Sequence, residues 1–256
     1  MREESGTPPP GKVLIAENDP VHRAFIRAAI ERSGLAAVEV IEAADGGAAL
    51  DLARRHRPGQ IVLDLHMPVM SGVDAARRIW DEQPRTRILF WSNYADEAYV
   101  RGLTRIVPPE AGYGYLLKSA SAERFRQAIE GVFLHDQCII DREVRSIQAR
   151  AEDRLDALSD SEYDMLVDIC LGLTDRAIAQ RHRLSTRGVQ SRLQRLYAKL
   201  GVAGDAGSDP PETGPFNART RAICMAVLRG LINADVLGRA NDQLDNAEQL
   251  RSDSRQ

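Results

Sequence analysis

The stretch IVLDLHMPVMSG at residues 61–72 starts with a short apolar run and ends among turn-forming residues. Such a run, bounded by proline, serine and glycine, predicts a buried strand over residues 60–64. Asp64 by itself could also be a turn residue or cap a helix. In an open parallel sheet, however, a carboxylate at the end of a buried strand lies where ligands bind.

Short apolar runs alternate with helical patterns on both sides of this stretch. Strands are predicted at residues 12–16, 38–43, 60–64, 87–91 and 114–117, and helices at residues 21–32, 48–55, 73–80, 97–103 and 122–134. This alternation predicts an α/β fold, a doubly wound five-stranded parallel sheet with helices on both faces. Because the crossovers are right-handed, the carboxyl ends of the strands are expected to form the functional edge.

Reactive side chains follow four of the five predicted strands. The tripeptide Glu-Asn-Asp at residues 17–19 follows the first strand, Asp64 ends the third, Ser92 follows the fourth and Lys118 follows the fifth. A carboxylate beside a hard cation, a hydroxyl and an ammonium group can accept a phosphoryl group. In that chemistry Asp64 attacks phosphorus, the cation and Lys118 offset negative charge, and Ser92 bonds the phosphoryl oxygens.

At these positions the sequence resembles the response-regulator receiver domain, which has a flavodoxin-like fold. The matching stretches are VLIAENDP (13–20), IVLDLHMPVMSG (61–72), ILFWSNYADEAYV (88–100) and GYLLKSAS (114–121). The resemblance implies that Asp64 is the phosphoacceptor and Lys118 its ion partner. It implies that Ser92 and Tyr115 form the switch that responds to phosphorylation. The ligands that it implies for Mg²⁺ are Glu17, Asn18, Asp64 and the backbone carbonyl of His66.

Two features depart from the receiver pattern. The family usually has two acids after the first strand, and Asn18 stands where the second acid would contact Mg²⁺. A neutral amide removes one charge, so we expect weakened Mg²⁺ binding. Asp19 could replace that acid by a shift of the loop, but because it precedes Pro20 it is expected to cap the following helix. The connection at residues 103–112 is longer than usual, so the face beside the fifth strand is expected to be built differently.

Charge separates sharply in the second half of the chain. Residues 155–175 contain six acidic residues and no lysine or arginine, whereas residues 176–200 contain seven basic residues and no acid. Within residues 185–200 the apolar positions recur at helical spacing and leave the basic residues off the core stripe. Such a helix can be seated in a domain while it presents cations to DNA phosphates. A merely solvated helix face would normally intersperse the two signs.

Residues 158–202 resemble the LuxR-type helix-turn-helix of the NarL/FixJ subfamily. The resemblance implies a scaffold helix at residues 174–182, a recognition helix at residues 185–199, and an internal bracing role for Glu162. The residues expected to contact base edges, phosphates or guanines are Arg187, Gln190, Ser191, Arg192, Gln194, Arg195 and Lys199. A fourth helix at residues 218–233 resembles the one that often mediates dimerisation, although its apolar stripe could also be domain core.

These patterns predict five parts of the chain. They are a disordered N-terminus (1–11), a receiver domain (12–135), a helical linker (136–154), a tetra-helical DNA-binding domain (155–240) with a loop insertion at 203–216, and a polar, frayed tail (241–256).

Composition limits the possible functions. The chain has 256 residues, 43% of them hydrophobic, and a net charge of −3, which excludes a uniformly basic nucleic-acid binder but not a basic face. Its three widely spaced cysteines predict neither a zinc site nor a disulfide framework. No signal peptide or long apolar run is found, so a cytoplasmic protein without a membrane segment is expected.

Together, the resemblances imply a two-component response regulator. A sensor histidine kinase would phosphorylate Asp64, and the active protein would bind double-stranded DNA as a homodimer. Because of Asn18, the alternative is a DNA-binding regulator that works without phosphorylation and responds to a partner or ligand. An enzyme is not expected: a phosphatase with a strand-end aspartate nucleophile needs a second acid two residues later, where this chain has His66.

Overall fold

The computed structural model describes residues 11–35, 39–93, 97–146, 158–202 and 216–253. The chain divides near residue 145 into two compact units, each with its own core. The predicted disordered N-terminus falls outside these residues except for Gly11, as does the loop insertion except for Phe216.

The first unit alternates strands and helices. Its elements are β1 (Lys12–Ala16), α1 (Pro20–Glu31), β2 (Glu39–Ala43), α2 (Gly46–His56), β3 (Gln60–Leu63), α3 (Gly72–Glu82), β4 (Arg87–Ser92), α4 (Glu97–Thr104), β5 (Tyr113–Leu117), α5 (Ala122–His135) and β6 (Ile139–Ile140). All the strands are parallel, in the order β2-β1-β3-β4-β5-β6. The doubly wound α/β fold predicted from the sequence is confirmed.

Both faces of this sheet are buried. Val13 and Ile15 of β1 pack with Phe125 and Ile129 of α5 on one face. Leu14, which lies between them in the sequence and points to the other face, is equally inaccessible to water. Continuous apolar strands are therefore expected here, because helices cover a parallel sheet on both sides.

The prediction of five strands is wrong by one, because β6 adds a sixth at the β5 edge. A two-residue strand is too short to produce a periodic signal in the sequence. The predicted helical linker at residues 136–154 therefore begins with a turn and a strand rather than a helix. Residues 142–146 are helical, and residues 147–157 fall outside the described ranges.

The described residues of the second unit form helices around one apolar core. They are α6 (Asp160–Cys170), α7 (Asp175–His182), α8 (Thr186–Lys199), α9 (Ala218–Leu228) and α10 (Ala234–Asp253). Leu166, Ile178, Leu193 and Ala222 contribute to the core from the first four helices. The all-α C-terminal domain predicted from the sequence is confirmed, although its described residues form five helices rather than the predicted four.

Two predictions about the C-terminal part are corrected. The fourth helix ends at Leu228 rather than residue 233, because the turn that follows contains Gly230 at a φ of 65°. Asn233 then accepts a hydrogen bond from the Val236 amide and starts a new helix. That helix, α10, runs to Asp253, so residues 241–253 are helical rather than frayed. Nothing in the described ranges is a helix long and apolar enough to cross a membrane.

Candidate functional site

The parallel strands bring the predicted acidic residues and the lysine together at one edge of the sheet. Asp64 directly follows β3, and its amide donates to the Ala16 carbonyl at the end of β1 (2.9 Å). Lys118 directly follows β5, and its amide donates to the Ser92 carbonyl at the end of β4 (2.8 Å). Adjacent strand ends are thus tied to one another by backbone hydrogen bonds, which fixes the positions of the side chains that follow.

The centre of the site is an ion cluster excluded from water. The Lys118 ammonium nitrogen lies 3.0 Å from Asp64 Oδ2 and 2.7 Å from Glu17 Oε2. The Glu17 contact is a close ion pair without hydrogen-bond geometry. Glu17 is fully buried, and the side chain of Lys118 is only 6% exposed. Two buried carboxylates therefore share one buried cation.

The pKa of Asp64 reflects its burial and the charges around it. Desolvation and the nearby Glu17 carboxylate raise its pKa above the ordinary aspartate value, and the Lys118 ammonium opposes them. The His66 amide donates to Asp64 Oδ1 (3.2 Å), while Oδ2 faces Lys118. A backbone donor and an ammonium thus hold the two carboxylate oxygens in fixed directions, as a nucleophile requires.

The loop after Asp64 requires glycine at residue 72, because there is no room for a side chain. A Cβ atom there would lie 2.0 Å from the Asp64 carbonyl oxygen, which is backbone and cannot move aside cheaply. The Gly72 amide donates to the Leu65 carbonyl (2.8 Å), so the loop closes tightly on the strand end. Within it, Val69 has a φ of 67° and is 87% exposed. The spacing of Asp64 and Gly72 in the sequence reflects this close backbone approach.

Residues 17–19 are used in three different ways. Glu17 is buried in the site, whereas Asn18 is exposed. Asp19 caps α1 by accepting hydrogen bonds from the amides of Val21 and His22, which confirms the capping role predicted for it. Two carboxylates, Glu17 and Asp64, and the backbone carbonyl of His66 are the oxygen donors considered for a metal. Such a set suits a hard divalent cation. The described part of the chain holds no cluster of three acidic, histidine or cysteine side chains suited to a metal.

The predicted switch residues are both deeply buried. Ser92 is the last residue of β4 and is inaccessible to water. Tyr115 lies in β5, is 1% exposed, and packs against Phe90 with ring centroids 6.4 Å apart. The hydroxyl thus lies at the end of β4, the neighbour of β3, and the aromatic ring lies one strand further, on β5.

Sequence reasoning did not place His22 at this site. Its Nδ1 lies 3.3 Å from the Lys118 ammonium nitrogen, and its ring meets the Trp91 ring edge-on at 5.2 Å. The Lys118 nitrogen in turn lies 5.3 Å from the centre of the Trp91 ring. The first turn of α1 places His22 here, and a helical pattern in the sequence does not reveal which sheet edge that turn reaches. Trp91 is therefore a natural spectroscopic reporter of the site.

The candidate nucleic-acid interface lies on α8 in the second unit. Ser185 caps this helix, and Val189, Leu193, Leu196 and Leu200 are buried at the positions predicted for its core stripe. On the other side, five of the seven residues expected to contact DNA are exposed: Arg187, Gln190, Ser191, Gln194 and Arg195. These five residues form the exposed α8 face.

The other two residues make contacts within the protein. Arg192 donates to the Ser161 hydroxyl (2.6 Å), and Lys199 donates to Glu162 Oε2 (2.8 Å). Glu162 also closes a capping box with Ser159 at the start of α6, so its predicted bracing role agrees with the structure. Burial alone would raise the pKa of Glu162, but hydrogen bonds from Lys199 and Ser159 hold it below the ordinary value.

A buried charged group also lies inside the second unit. Asp168 is 2% exposed, and its carboxylate oxygens lie 2.5 Å from His182 Nε2 and 3.3 Å from Arg181 Nε. This group ties α6 to the end of α7. Part of the sharp charge separation in the sequence therefore stabilises the domain rather than a ligand site.

Comparisons with known proteins agree with both units. The family described as the response regulator receiver domain matches residues 13–130. The chain is 30% identical over 231 residues to the transcriptional regulatory protein YdfI of Bacillus subtilis, covering 88% of this chain and 99% of that one. It is 29% identical over 202 residues to the probable transcriptional regulatory protein NarL of Mycobacterium tuberculosis, covering 77% and 91%.

Solved structures share the fold. RcsB of Salmonella enterica serovar Typhimurium, bound to a promoter in the presence of the phosphomimetic BeF₃⁻, matches with a TM-score of 0.56 at 18% identity and covers 87% of this chain and 100% of that one. A second RcsB–DNA complex matches with a TM-score of 0.53 at 19% identity, covering 84% and 98%. At these identities the likeness shows the fold alone, an α/β unit followed by a helical unit.

Proposed function

The chain belongs to the response regulators with a transcription-regulating output, of the NarL/FixJ or LuxR type, and we propose that phosphorylation of Asp64 controls its binding to DNA. The observation that carries this proposal is the buried contact between Asp64 and Lys118 at the edge of the sheet. A sensor histidine kinase is the proposed phosphodonor.

The side chains around Asp64 suit transfer of a phosphoryl group. Asp64 Oδ attacks phosphorus, the bond from phosphorus to the donor's imidazole nitrogen breaks, and the donor leaves with that electron pair and takes up a proton. Lys118 offsets the negative charge that develops on the phosphoryl oxygens, and the His66 amide keeps the Asp64 carboxylate oriented. Ser92 and Tyr115 would then respond to the new phosphoryl group.

A magnesium ion would be held by Glu17, Asp64 and the backbone carbonyl of His66. When bound, it supplies positive charge for the phosphoryl oxygens. Asn18 contributes no charge to this set, and the Lys118 ammonium group already offsets part of the charge of the two carboxylates. We therefore expect weaker Mg²⁺ binding than two acids at residues 17 and 18 would give.

The exposed α8 face is the proposed DNA-reading surface. Arg187 and Arg195 would contact phosphates or guanines, and Gln190, Ser191 and Gln194 would contact base edges in the major groove. Two copies would read a two-fold site, and Val227 and Leu228 on α9, which are 57% and 79% exposed, are candidates for the dimer contact. The role implies action in the cytoplasm and no enzymatic turnover.

The test is transfer of labelled phosphate from a small phosphodonor to the full-length chain in the presence of Mg²⁺. The wild-type protein should become labelled, and Asp64→Asn, which keeps the shape of the side chain, should not. Labelling of Asp64→Asn at the wild-type level would refute the assignment of the phosphoacceptor.

A second candidate function follows from Asn18. If the metal site is too weak, the same DNA-binding protein would respond to a partner or ligand without phosphorylation. Beryllofluoride binding, followed by the fluorescence of Trp91 over a Mg²⁺ titration, separates the two. Saturable binding at millimolar Mg²⁺ supports phosphorylation, and no binding at that concentration supports the second function.

A further inference from the structure

The chain that leaves α5 is attached to β5 before it reaches the second unit. β6 pairs in parallel with β5, with Ile139 opposite Gly114 and Ile140 opposite Tyr115. The next residue, Asp141, continues the attachment: its amide donates to the Tyr115 carbonyl (3.0 Å), and its Oδ2 accepts from the Leu117 amide (2.9 Å). One residue of the connection therefore holds the backbone of β5 at two points.

The surrounding residues are shaped to accept this attachment. A Cβ atom at Gly131 would lie 2.3 Å from Ile139 Cδ1, and one at Gly114 would lie 2.9 Å from the Ile139 carbonyl oxygen. Arg87 at the start of β4 pairs with Asp136 at the turn that leads into β6. The glycines on α5 and β5 therefore leave the space that Ile139 of β6 occupies.

Asp141 also lies where β6 passes into the helical segment 142–146. Its carbonyl accepts the first helical hydrogen bond, from the Arg145 amide (2.8 Å). Its carboxylate is further neutralised by Arg124, whose Nε lies 3.8 Å from Asp141 Oδ1. The same residue thus contacts the strand that carries Tyr115, the residue before Lys118, and the start of the segment that continues toward the second unit.

We propose that Asp141 is a positioning residue that couples the phosphorylation site to the DNA-binding unit. This inference rests on the proposed function and names the route of its regulation. A displacement of the β5 backbone at Tyr115 or Lys118 on phosphorylation would reach Asp141, which is bonded to the Tyr115 carbonyl and the Leu117 amide. The motion is therefore delivered directly to the first turn of the segment at residues 142–146.

Phosphorylation itself does not depend on Asp141. The Lys118 amide is held by the Ser92 carbonyl, and its ammonium group is held by Asp64 and Glu17. Removing the Asp141 carboxylate leaves all three contacts in place. The coupling and the chemistry can therefore be separated by one substitution.

The experiment compares full-length wild type, Asp141→Ala, Asp141→Asn and Asp136→Ala. Asparagine keeps an oxygen that can accept from the Leu117 amide, whereas alanine does not. Asp136→Ala removes an acid from the same connection but leaves the contacts of Asp141 untouched. Each protein is assayed for labelling from a small phosphodonor, for affinity with and without beryllofluoride toward a duplex selected from random sequences by the wild type, and for hydrogen exchange of the β5 peptide.

Asp141→Ala should be labelled within about twofold of the wild-type rate, and its β5 amide hydrogens should exchange faster. It should lose most of the gain in DNA affinity that beryllofluoride gives the wild type. Asp141→Asn and Asp136→Ala should keep that gain. A full gain in Asp141→Ala, or its failure to be labelled, would overturn the coupling while the proposed function stands. Absence of any gain in the wild type would overturn the proposed function, and the coupling with it.

Discussion

The Lys118 ammonium nitrogen lies 3.0 Å from Asp64 Oδ2, and both side chains are only 6% exposed. Their neighbour Glu17 is fully buried and adds a second negative charge. An arrangement of two carboxylates and one ammonium group leaves a net negative charge out of water, which is costly unless a cation or a proton compensates it. Binding of a cation at this site would therefore lower the cost of the buried negative charge.

Lys118→Met should destabilise the first unit by about 3–5 kcal/mol, because it leaves two buried carboxylates without a cation. Chemical denaturation of the full-length protein measures the change. Adding Glu17→Gln to this variant should recover part of the loss, since one carboxylate then remains. A loss below about 1 kcal/mol for Lys118→Met would show that the contact is not an important source of stability.

Asp64→Asn should stabilise the first unit at neutral pH, by on the order of 1 kcal/mol. The folded-state pKa of Asp64 is raised by burial and by Glu17, so the folded protein binds a proton more readily than the unfolded chain. Stability is therefore lost as pH rises from the ordinary aspartate value through the raised one, and asparagine escapes that loss. In melting curves from pH 4 to 8, the advantage of the variant should shrink toward acid.

Glu162→Gln in the second unit should show the opposite dependence of stability on pH from Asp64→Asn. The pKa of Glu162 is lowered, so its contribution to stability is present at neutral pH and lost as pH falls through the folded-state value. The variant should melt lower than wild type at pH 7, and the difference should disappear in acid. If Asp64→Asn and Glu162→Gln showed the same pH trend, the directions assigned to the two pKa shifts would be wrong.

Gly72→Ala should impair both folding and phosphorylation, because its Cβ would lie 2.0 Å from the Asp64 carbonyl oxygen. We expect a loss of about 3 kcal/mol and at least a tenfold slower labelling from a small phosphodonor. Gly59→Ala is the matched control, since a Cβ there meets no atom within 4 Å. Equal behaviour of the two variants would show that the loop tolerates a side chain.

Arg195→Ala and Lys199→Ala should fail in different ways. Arg195 is exposed, so its loss should weaken binding to all DNA sequences alike and leave the melting temperature unchanged. The slope of log affinity against log salt concentration should become shallower by about one. Lys199 is bonded to Glu162, so its loss should cost about 1 kcal/mol of stability in the second unit. Melting curves and salt titrations of affinity measure both, and an exchange of the two outcomes would reverse the assignments.

Much of the site could be predicted from the sequence because parallel strands impose it. Once Asp64 and Lys118 are assigned to strand ends, the topology of the sheet brings them together, and the structure confirms that they meet. The N-cap role of Asp19 was predictable for a similar reason, since it depends only on the next three residues.

The parts that were missed depend on contacts between distant residues. The two residues of β6 form a strand only because Gly114 and Gly131 leave room for Ile139. A local pattern also cannot show that Lys199, which is expected to contact DNA, is bonded to Glu162 on another helix. Helical periodicity also gave no sign that the first turn of α1 carries His22 to Lys118.

The most direct test measures the affinity of full-length protein for the selected duplex with and without Mg²⁺ and beryllofluoride, for wild type and for Asp64→Asn side by side. We expect wild type to bind at least about tenfold more tightly with beryllofluoride, a coupling of about 1.4 kcal/mol, and Asp64→Asn to be unaffected. No gain in the wild type, or an equal gain in Asp64→Asn, would contradict the control of DNA binding by phosphorylation of Asp64.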